Sequence, residues 1–384
     1  MKNCFYILLF HITCILVGCG SSETTIEDLK IYLNDTIYND SSTTDTLYKD
    51  SIIKDTIIID TVIHDTIIHD TVIHDSILVD TIIITKHYYK NPIIRTSLPD
   101  PTVIKADNGY FYLYATEDIR NTPIYKSKDL TNWKYVGTAF TNETRPQTIK
   151  GTTWAPDINY INGQYVMYYS KSGNGDLWAC GIGVATAQNP EGPFHDLGKL
   201  FTSEEIGVKN SIDPFFINDN GHNYLLWGSQ HGIYGIELSD DGLKLKGEKQ
   251  LVAKISMEGT YVHYHDGYYY LFGSTGTCCK GLESTYHVIV ARSENLFGPY
   301  KKKEGKNEHN VLLNKNDYVV GPGHNAEFIT DDEGQDWIIY HGYLASDPNA
   351  GRVVFLDPVY WKDGWPYVNN DSPSKIHVKP YFNK

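Results

Sequence analysis

The chain has 384 residues, room for one large domain or two ordinary ones with a substantial buried core. Its formal net charge is −14, with 47 acidic against 33 basic side chains spread along the sequence. That balance excludes nucleic acid and anionic polymers as electrostatically held partners and leaves a neutral polymer admissible. Tyrosine is over-used, 30 against 13 Phe and 7 Trp, which suits strands packed in sheets and, secondarily, sugar-binding faces.

At the N-terminus Lys2 precedes an apolar run from Phe5 to Val17 that is too short for a stable membrane span. A basic start, a short apolar stretch and the small residues Gly18-Cys19-Gly20 describe an export signal over residues 1–18. Val17-Gly18-Cys19 resembles the bacterial lipobox. That resemblance implies acylation of Cys19 and a lipid anchor in a bacterial envelope, with the outer membrane as the expected site.

Residues 19–90 read as a stalk. An Asp recurs every five residues from Asp35 to Asp80, as in Asp60-Thr61-Val62-Ile63-His64 and Asp65-Thr66-Ile67-Ile68-His69. Such a period makes neither a straight helical stripe nor a one-faced strand, although Thr, Ile and Val favour extended backbone. The pattern alone does not yield its fold. His64, His69 and His74 could together chelate a metal, but the expected reading is that they fall on solvated repeat positions.

A second, looser repeat fills residues 91–384. Each copy joins a polar signature to an apolar strand, a Gly turn and an aromatic strand. The copies open at Asp100-Pro101, Trp154-Ala155-Pro156-Asp157, Asp213-Pro214, Glu258-Gly259 and Gly323-His324. Their turns are Asn108-Gly109, Asn162-Gly163, Asn220-Gly221, Asp266-Gly267 and Glu333-Gly334. Asn-Gly and Asp-Gly between β-rich runs signal hairpins, because the favoured tight turns need positive φ. Five hairpins without a long amphipathic helix predict an all-β fold, a five-bladed β-propeller. The first strand of each blade lines the channel, so Asp100, Asp157, Asp213, Glu258 and His324 are expected to meet at one mouth. Taken singly, Asp100 and Asp213 would pass for Asp-Pro turns. The repeat is what makes them a set. Glycosidic cleavage needs an acid for the leaving oxygen and a base for water, and neighbouring carboxylates supply both.

The set Asp100-Pro101, Ser211-Ile212-Asp213-Pro214 and Glu258-Gly259 resembles glycoside hydrolase family 43. The resemblance implies Asp100 as general base, Glu258 as general acid and Asp213 as the residue that tunes and orients the acid. Trp154-Ala155-Pro156-Asp157 resembles the family's second-blade signature; Trp154 is then a sugar-stacking ring or a blade-interface filler, and Asp157 a substrate contact or a structural hydrogen-bond acceptor. Arg352, in Gly351-Arg352-Val353, either reaches the pocket from the last blade or forms a surface salt bridge. Gly276 to Ser293, with Cys278-Cys279, resembles endo-acting α-1,5-arabinanases, which implies a cysteine loop beside the cleft and arabinan or arabino-oligosaccharides as substrate. Gly323-His324-Asn325 resembles the fifth-blade site where such enzymes hold one calcium ion through a His and waters. The segment Glu258-Gly259-Thr260-Tyr261-Val262 departs from the Pro or Ala that often follows the acid, and the stalk lies outside the family pattern. Competing readings are an exo-acting arabinofuranosidase or β-xylosidase and a non-catalytic glycan-binding lipoprotein; a binding module would not require all three carboxylates. Cys180, Cys278 and Cys279 form neither a disulfide framework nor a zinc spacing, and Cys278-Cys279 pairing or a bridge to Cys180 both stay open.

Overall fold

The structure is a computed structural model that describes residues 87–304 and 310–383, together with the backbone of five strands nearer the N-terminus. Two compact units divide at Tyr88/Tyr89. In the first, Phe5–Ile7 pairs antiparallel with Ile15–Val17. Thr56–Ile63, Thr66–Ile73 and Ile82–Thr85 form an antiparallel sheet, with Ile63 opposite Thr66. The β-branched repeat therefore forms strands that reverse with no Gly or Pro between them. Cys19, His64 and His74 lie outside the described residues, and the described strands do not test the export signal or the anchor.

The second unit is a ring of five antiparallel sheets, each of four consecutive main strands. Blade one is Thr102–Lys105, Phe111–Tyr114, Pro123–Ser127 and Lys134–Thr138; blade two is Thr153–Ile161, Gln164–Lys171, Gly181–Ala187 and His195–Thr202. Blade three is Phe215–Asp219, His222–Ser229, Gly232–Leu238 and Leu245–Ala253; blade four is Glu258–His265, Tyr268–Thr275, His287–Ser293 and Asn310–Leu313. Blade five is Val319–Gly323, Asp336–Leu344, Asp347–Lys362 and Trp365–Tyr367, with Ile329–Thr330 also on its second strand. This is the five-bladed propeller that the hairpin repeat predicts.

Turn chemistry sets the first hairpin of three blades. Asn162-Gly163, Asn220-Gly221 and Asp266-Gly267 carry two consecutive positive φ values, the type I′ geometry that matches strand twist. Ile161 consequently faces Gln164, Asp219 faces His222 and His265 faces Tyr268. The second strands are the most buried, Phe111–Tyr114 throughout, whereas the outer strand Lys134–Thr138 is partly exposed. Part of the tyrosine excess is explained here: Tyr112, Tyr114, Tyr168, Tyr169, Tyr270 and Tyr340 are fully buried. Their hydroxyls find acceptors, as Tyr168 does on the Gly242 carbonyl at 2.7 Å and Tyr340 on Asp357 at 2.6 Å.

The ring closes on the start of the unit. Asn91 donates to the Leu356 carbonyl at 2.9 Å and accepts from its N–H at 3.0 Å, and Ile94 bridges Val354. Blade five is thereby tied to the segment that leads into blade one, which places Asp100 against blade-five side chains.

Candidate active site

Each blade enters the channel through a backbone kink. Asp100, Ala155, Asp213, Gly259 and His324 all have positive φ, at 56°, 35°, 57°, 64° and 46°. For the four that are not glycine this left-handed conformation costs on the order of 1–3 kcal/mol and persists only where surroundings enforce it. The enforcing contact is a relay around the ring. The N–H of Ala155 donates to Thr116 Oγ1 at 2.7 Å, that of Asp213 to Ser170 Oγ at 2.8 Å, and that of His324 to Ser274 Oγ at 2.8 Å. The N–H of Asp100 donates to His341 Nδ1 at 2.9 Å. In each case the acceptor lies on or just beyond the second strand of the preceding blade. The fifth kink breaks the pattern: the Gly259 N–H donates to Asp213 Oδ2 at 2.9 Å. Gly259 also needs to be glycine, because a Cβ there would stand 2.9 Å from His324 Cγ.

The relay corrects the expected register. Ala155 and Gly259, not Asp157 and Glu258, are the structural equivalents of Asp100, Asp213 and His324. Glu258 stands one residue before its kink and Asp157 two residues after its own. A bulge follows Glu258 and another precedes Asp157, shifting both from the simple hairpin count.

Asp100, Asp213 and Glu258 nonetheless share one mouth with His324 between them. His324 Nδ1 lies 3.3 Å from Asp100 Oδ1 and 3.9 Å from Asp213 Oδ2. Asp100 also accepts from Thr116 Oγ1 at 2.6 Å and from Arg352 Nη1 at 3.2 Å. Glu258 accepts from the Tyr286 hydroxyl at 3.0 Å. Tyr286 stacks at 5.9 Å on the His341 ring that receives the Asp100 N–H.

Environment divides the three carboxyls. Burial alone would raise Asp100, but Arg352, His324 and His341 outweigh it and hold the carboxyl well below the usual range. Burial, with the charges of Glu258 and Asp100, pushes Asp213 up to about 7 against the pull of His324. Glu258 is raised by burial and by Asp100, opposed by Tyr286, His324 and Arg352. Burial disfavours a charged imidazole, yet Asp100, Asp213 and Glu258 lift His324 to about 9. His341 is driven the other way, by burial and by Arg352, so its neutral ring accepts the Asp100 N–H.

The remaining expected residues take distinct places. Arg352 touches Asp100 directly. Trp154 is half-buried, one residue before the Ala155 kink. Asp157 is buried and accepts from the Phe216 N–H and from Asn159, both at 2.8 Å. Its charge partner is Glu327. Cys278 and Cys279 are bonded to each other, and Cys180 is free and buried. Their loop leaves strand Tyr268–Thr275 at Gly276, which with Glu258, Met257 and Ser274 lines a cavity of about 30 Å³.

Sequence reading missed Thr116, Ser170, Ser274, Tyr286 and His341. A signal existed for the hydroxyls: the second strands end Tyr169-Ser170, Gly228-Ser229 and Gly273-Ser274, a small repeat of its own.

His324 offers a cation one ring nitrogen, since Nδ1 faces Asp100. No three His, Cys, Asp or Glu donors converge on it among the described residues. A calcium ion prefers six to eight oxygens, so waters would have to complete its shell. The carboxylates that lift His324 do favour positive charge at this ring, and an ion on Nε2 would stand where the second proton otherwise does.

Comparison with known proteins agrees with this geometry. Residues 89–366 match glycosyl hydrolases family 43. An extracellular exo-α-(1→5)-L-arabinofuranosidase of Cellvibrio japonicus is 32% identical, over 70% of this chain and 86% of that protein. An extracellular endo-α-(1→5)-L-arabinanase of Bacillus subtilis is also 32% identical, over 70% and 87%. The structure of a Cellvibrio cellulosa α-L-arabinanase complexed with arabinohexaose superposes with a TM-score of 0.63 at 29% identity, covering 71% of this chain and 96% of that one. Fold, carboxylate mouth and sequence likeness lead to one assignment: the chain is a glycosidase belonging to glycosyl hydrolase family 43.

Proposed function

We propose that this glycosidase cleaves α-1,5-linked L-arabinan, acting within the chain and inverting the anomeric centre. The observation that carries the reading is the division of the buried carboxyls. Asp100, held low by Arg352 and His324, stays ionised and suits a base that takes a proton from water. Glu258, raised by burial, keeps its proton into the range where it can donate to the leaving oxygen. Asp213 binds the N–H of Gly259, next to Glu258, and the charge of Glu258 is among the causes that raise it, so the two neighbouring carboxyls oppose each other's ionisation. Relatives named for arabinan support the substrate.

Endo action rests on the cysteine loop, whose base lines the cavity at Glu258. The exo-acting relative makes release of single arabinose units the second reading. Product analysis on linear debranched arabinan separates them: a ladder of oligomers supports endo action and arabinose alone overturns it. Proton NMR of the first products reads the anomer, and a retained configuration overturns inversion. No release from any arabinan or xylan by folded protein would favour a glycan-binding module.

A calcium ion held by His324 and waters is part of this proposal and would add positive charge beside Asp100. Activity lost on chelation and regained with calcium supports it; full activity after chelation overturns it. Anchoring through Cys19 is likewise proposed, in the bacterial envelope. Incorporation of labelled palmitate that survives Cys19→Ser would refute it.

A further inference from the structure

The propeller holds a second cluster of chemistry-bearing side chains that arabinan cleavage does not use. His263 and His265 alternate on the innermost strand of blade four, and Asp336 opens the second strand of blade five. Their ligand atoms lie within 4.8 Å of one another, the one such group among the described residues. Strand rise of about 3.3 Å per residue puts His263 about 16 Å and His265 about 23 Å from Glu258. On blade five, His341 reaches the carboxylate mouth while Asp336 lies at the other end of the same strand. The cluster is therefore at the opposite face of the ring.

We propose that His263, His265 and Asp336 form a binding site for a divalent cation of the zinc class, clamping blade four to blade five. Two imidazoles and one carboxylate are a donor set for zinc and its neighbours, not for calcium or magnesium. Ligand atoms bound at about 2.0–2.2 Å to a tetrahedral ion stand roughly 3.4 Å apart, so small side-chain adjustments close the shell. Water supplies the fourth position, because His265 is only partly covered, its side chain 29% exposed.

The surroundings orient these groups as outer-shell partners orient metal ligands. His263 Nδ1 lies 2.9 Å from the Tyr261 hydroxyl, leaving Nε2 for a metal. That hydroxyl is itself fixed by the Phe328 N–H at 3.0 Å. His265 Nε2 lies 3.5 Å from Asp266 Oδ2, leaving Nδ1. The His265 ring is stacked on Trp361 at 3.7 Å and 6°, which sets its plane. Asp336 accepts one bond at each oxygen, from Thr330 at 2.6 Å and Trp361 Nε1 at 2.9 Å, and each oxygen keeps a lone pair.

The test is zinc retention by the untagged full-length protein. The chain is stripped with chelator, equilibrated with zinc and dialysed, and metal per chain is read by atomic emission. The parent is expected to hold one equivalent that His265→Gln and Asp336→Asn both lack, and zinc is expected to raise the Tm of the parent but of neither of these two variants. A His64→Asn/His69→Asn/His74→Asn variant should keep that equivalent, since stalk histidines are a separate source. Equal zinc in parent and His265→Gln, or loss only in the stalk variant, overturns the site. His265→Gln is the deciding variant if Asp336→Asn does not fold, and its glycosidase activity is expected to match the parent.

Discussion

Replacing Arg352 by Met removes the guanidinium that faces the base assigned to Asp100. The Arg352 and Asp100 side chains are 16% and 13% exposed with 3.2 Å between Nη1 and Oδ1, so water screens the pair weakly. At an effective dielectric of about 20 the direct attraction is about 5 kcal/mol. Stripping one partner from a buried pair costs about 3–5 kcal/mol. His324, 3.3 Å from the same oxygen, still shares the charge, which argues for the lower end. Asp100 is held below its unfolded value, near 3.9 for a free Asp. Its contribution to folding is therefore complete above about pH 4 and fades as pH falls through its own low value. Urea unfolding should show the full deficit of Arg352→Met at neutral pH and a narrowing gap in acid. The acid limb of kcat/KM, read on arabino-oligosaccharides, should move to higher pH in the variant. An unmoved limb with only KM raised would make Arg352 a sugar contact and refute this account of Asp100.

Asp100→Asn and Glu258→Gln are each expected to lower kcat by about 10²–10⁴ with the circular dichroism spectrum intact, and near-normal turnover in either removes that residue from the chemistry. In Asp213→Asn, Glu258 loses a negative neighbour, so the alkaline limb of the pH profile should shift to lower pH; a limb that stays put denies Asp213 its tuning role. Asp157 and Glu327, at about 7 and about 8, are carboxyls raised on folding, so the stability they contribute in acid is lost as pH rises toward 8. Glu327→Gln should flatten that decline in Tm between pH 4 and pH 8, and an equally steep decline would show that the strain lies elsewhere.

The blades were legible because their causes are local. Asn162-Gly163 or Asp266-Gly267 between aromatic and β-branched runs specifies a hairpin through the sterics of positive φ alone. The carboxylate set was legible because the blades repeat, so one position recurs at one end of the ring. What repetition did not reveal was the one-residue and two-residue offsets at Glu258 and Asp157. Bulges in two innermost strands set those offsets, and an outline count of apolar residues passes over a bulge. The chemistry of the adjacent cysteines was also ambiguous until the backbone brought their sulfurs together and left Cys180 buried behind Ser203.

By itself, then, the amino-acid order determined an all-β ring of five hairpins and the acidic residues that line its entrance. Only the tertiary structure decided which carboxyl is held low and which are raised. That difference depends on partners remote in the chain: Arg352 lies 252 positions from Asp100 and His341 lies 241. Charges and hydrogen bonds act over a few ångströms, and no spacing in the sequence measures that distance.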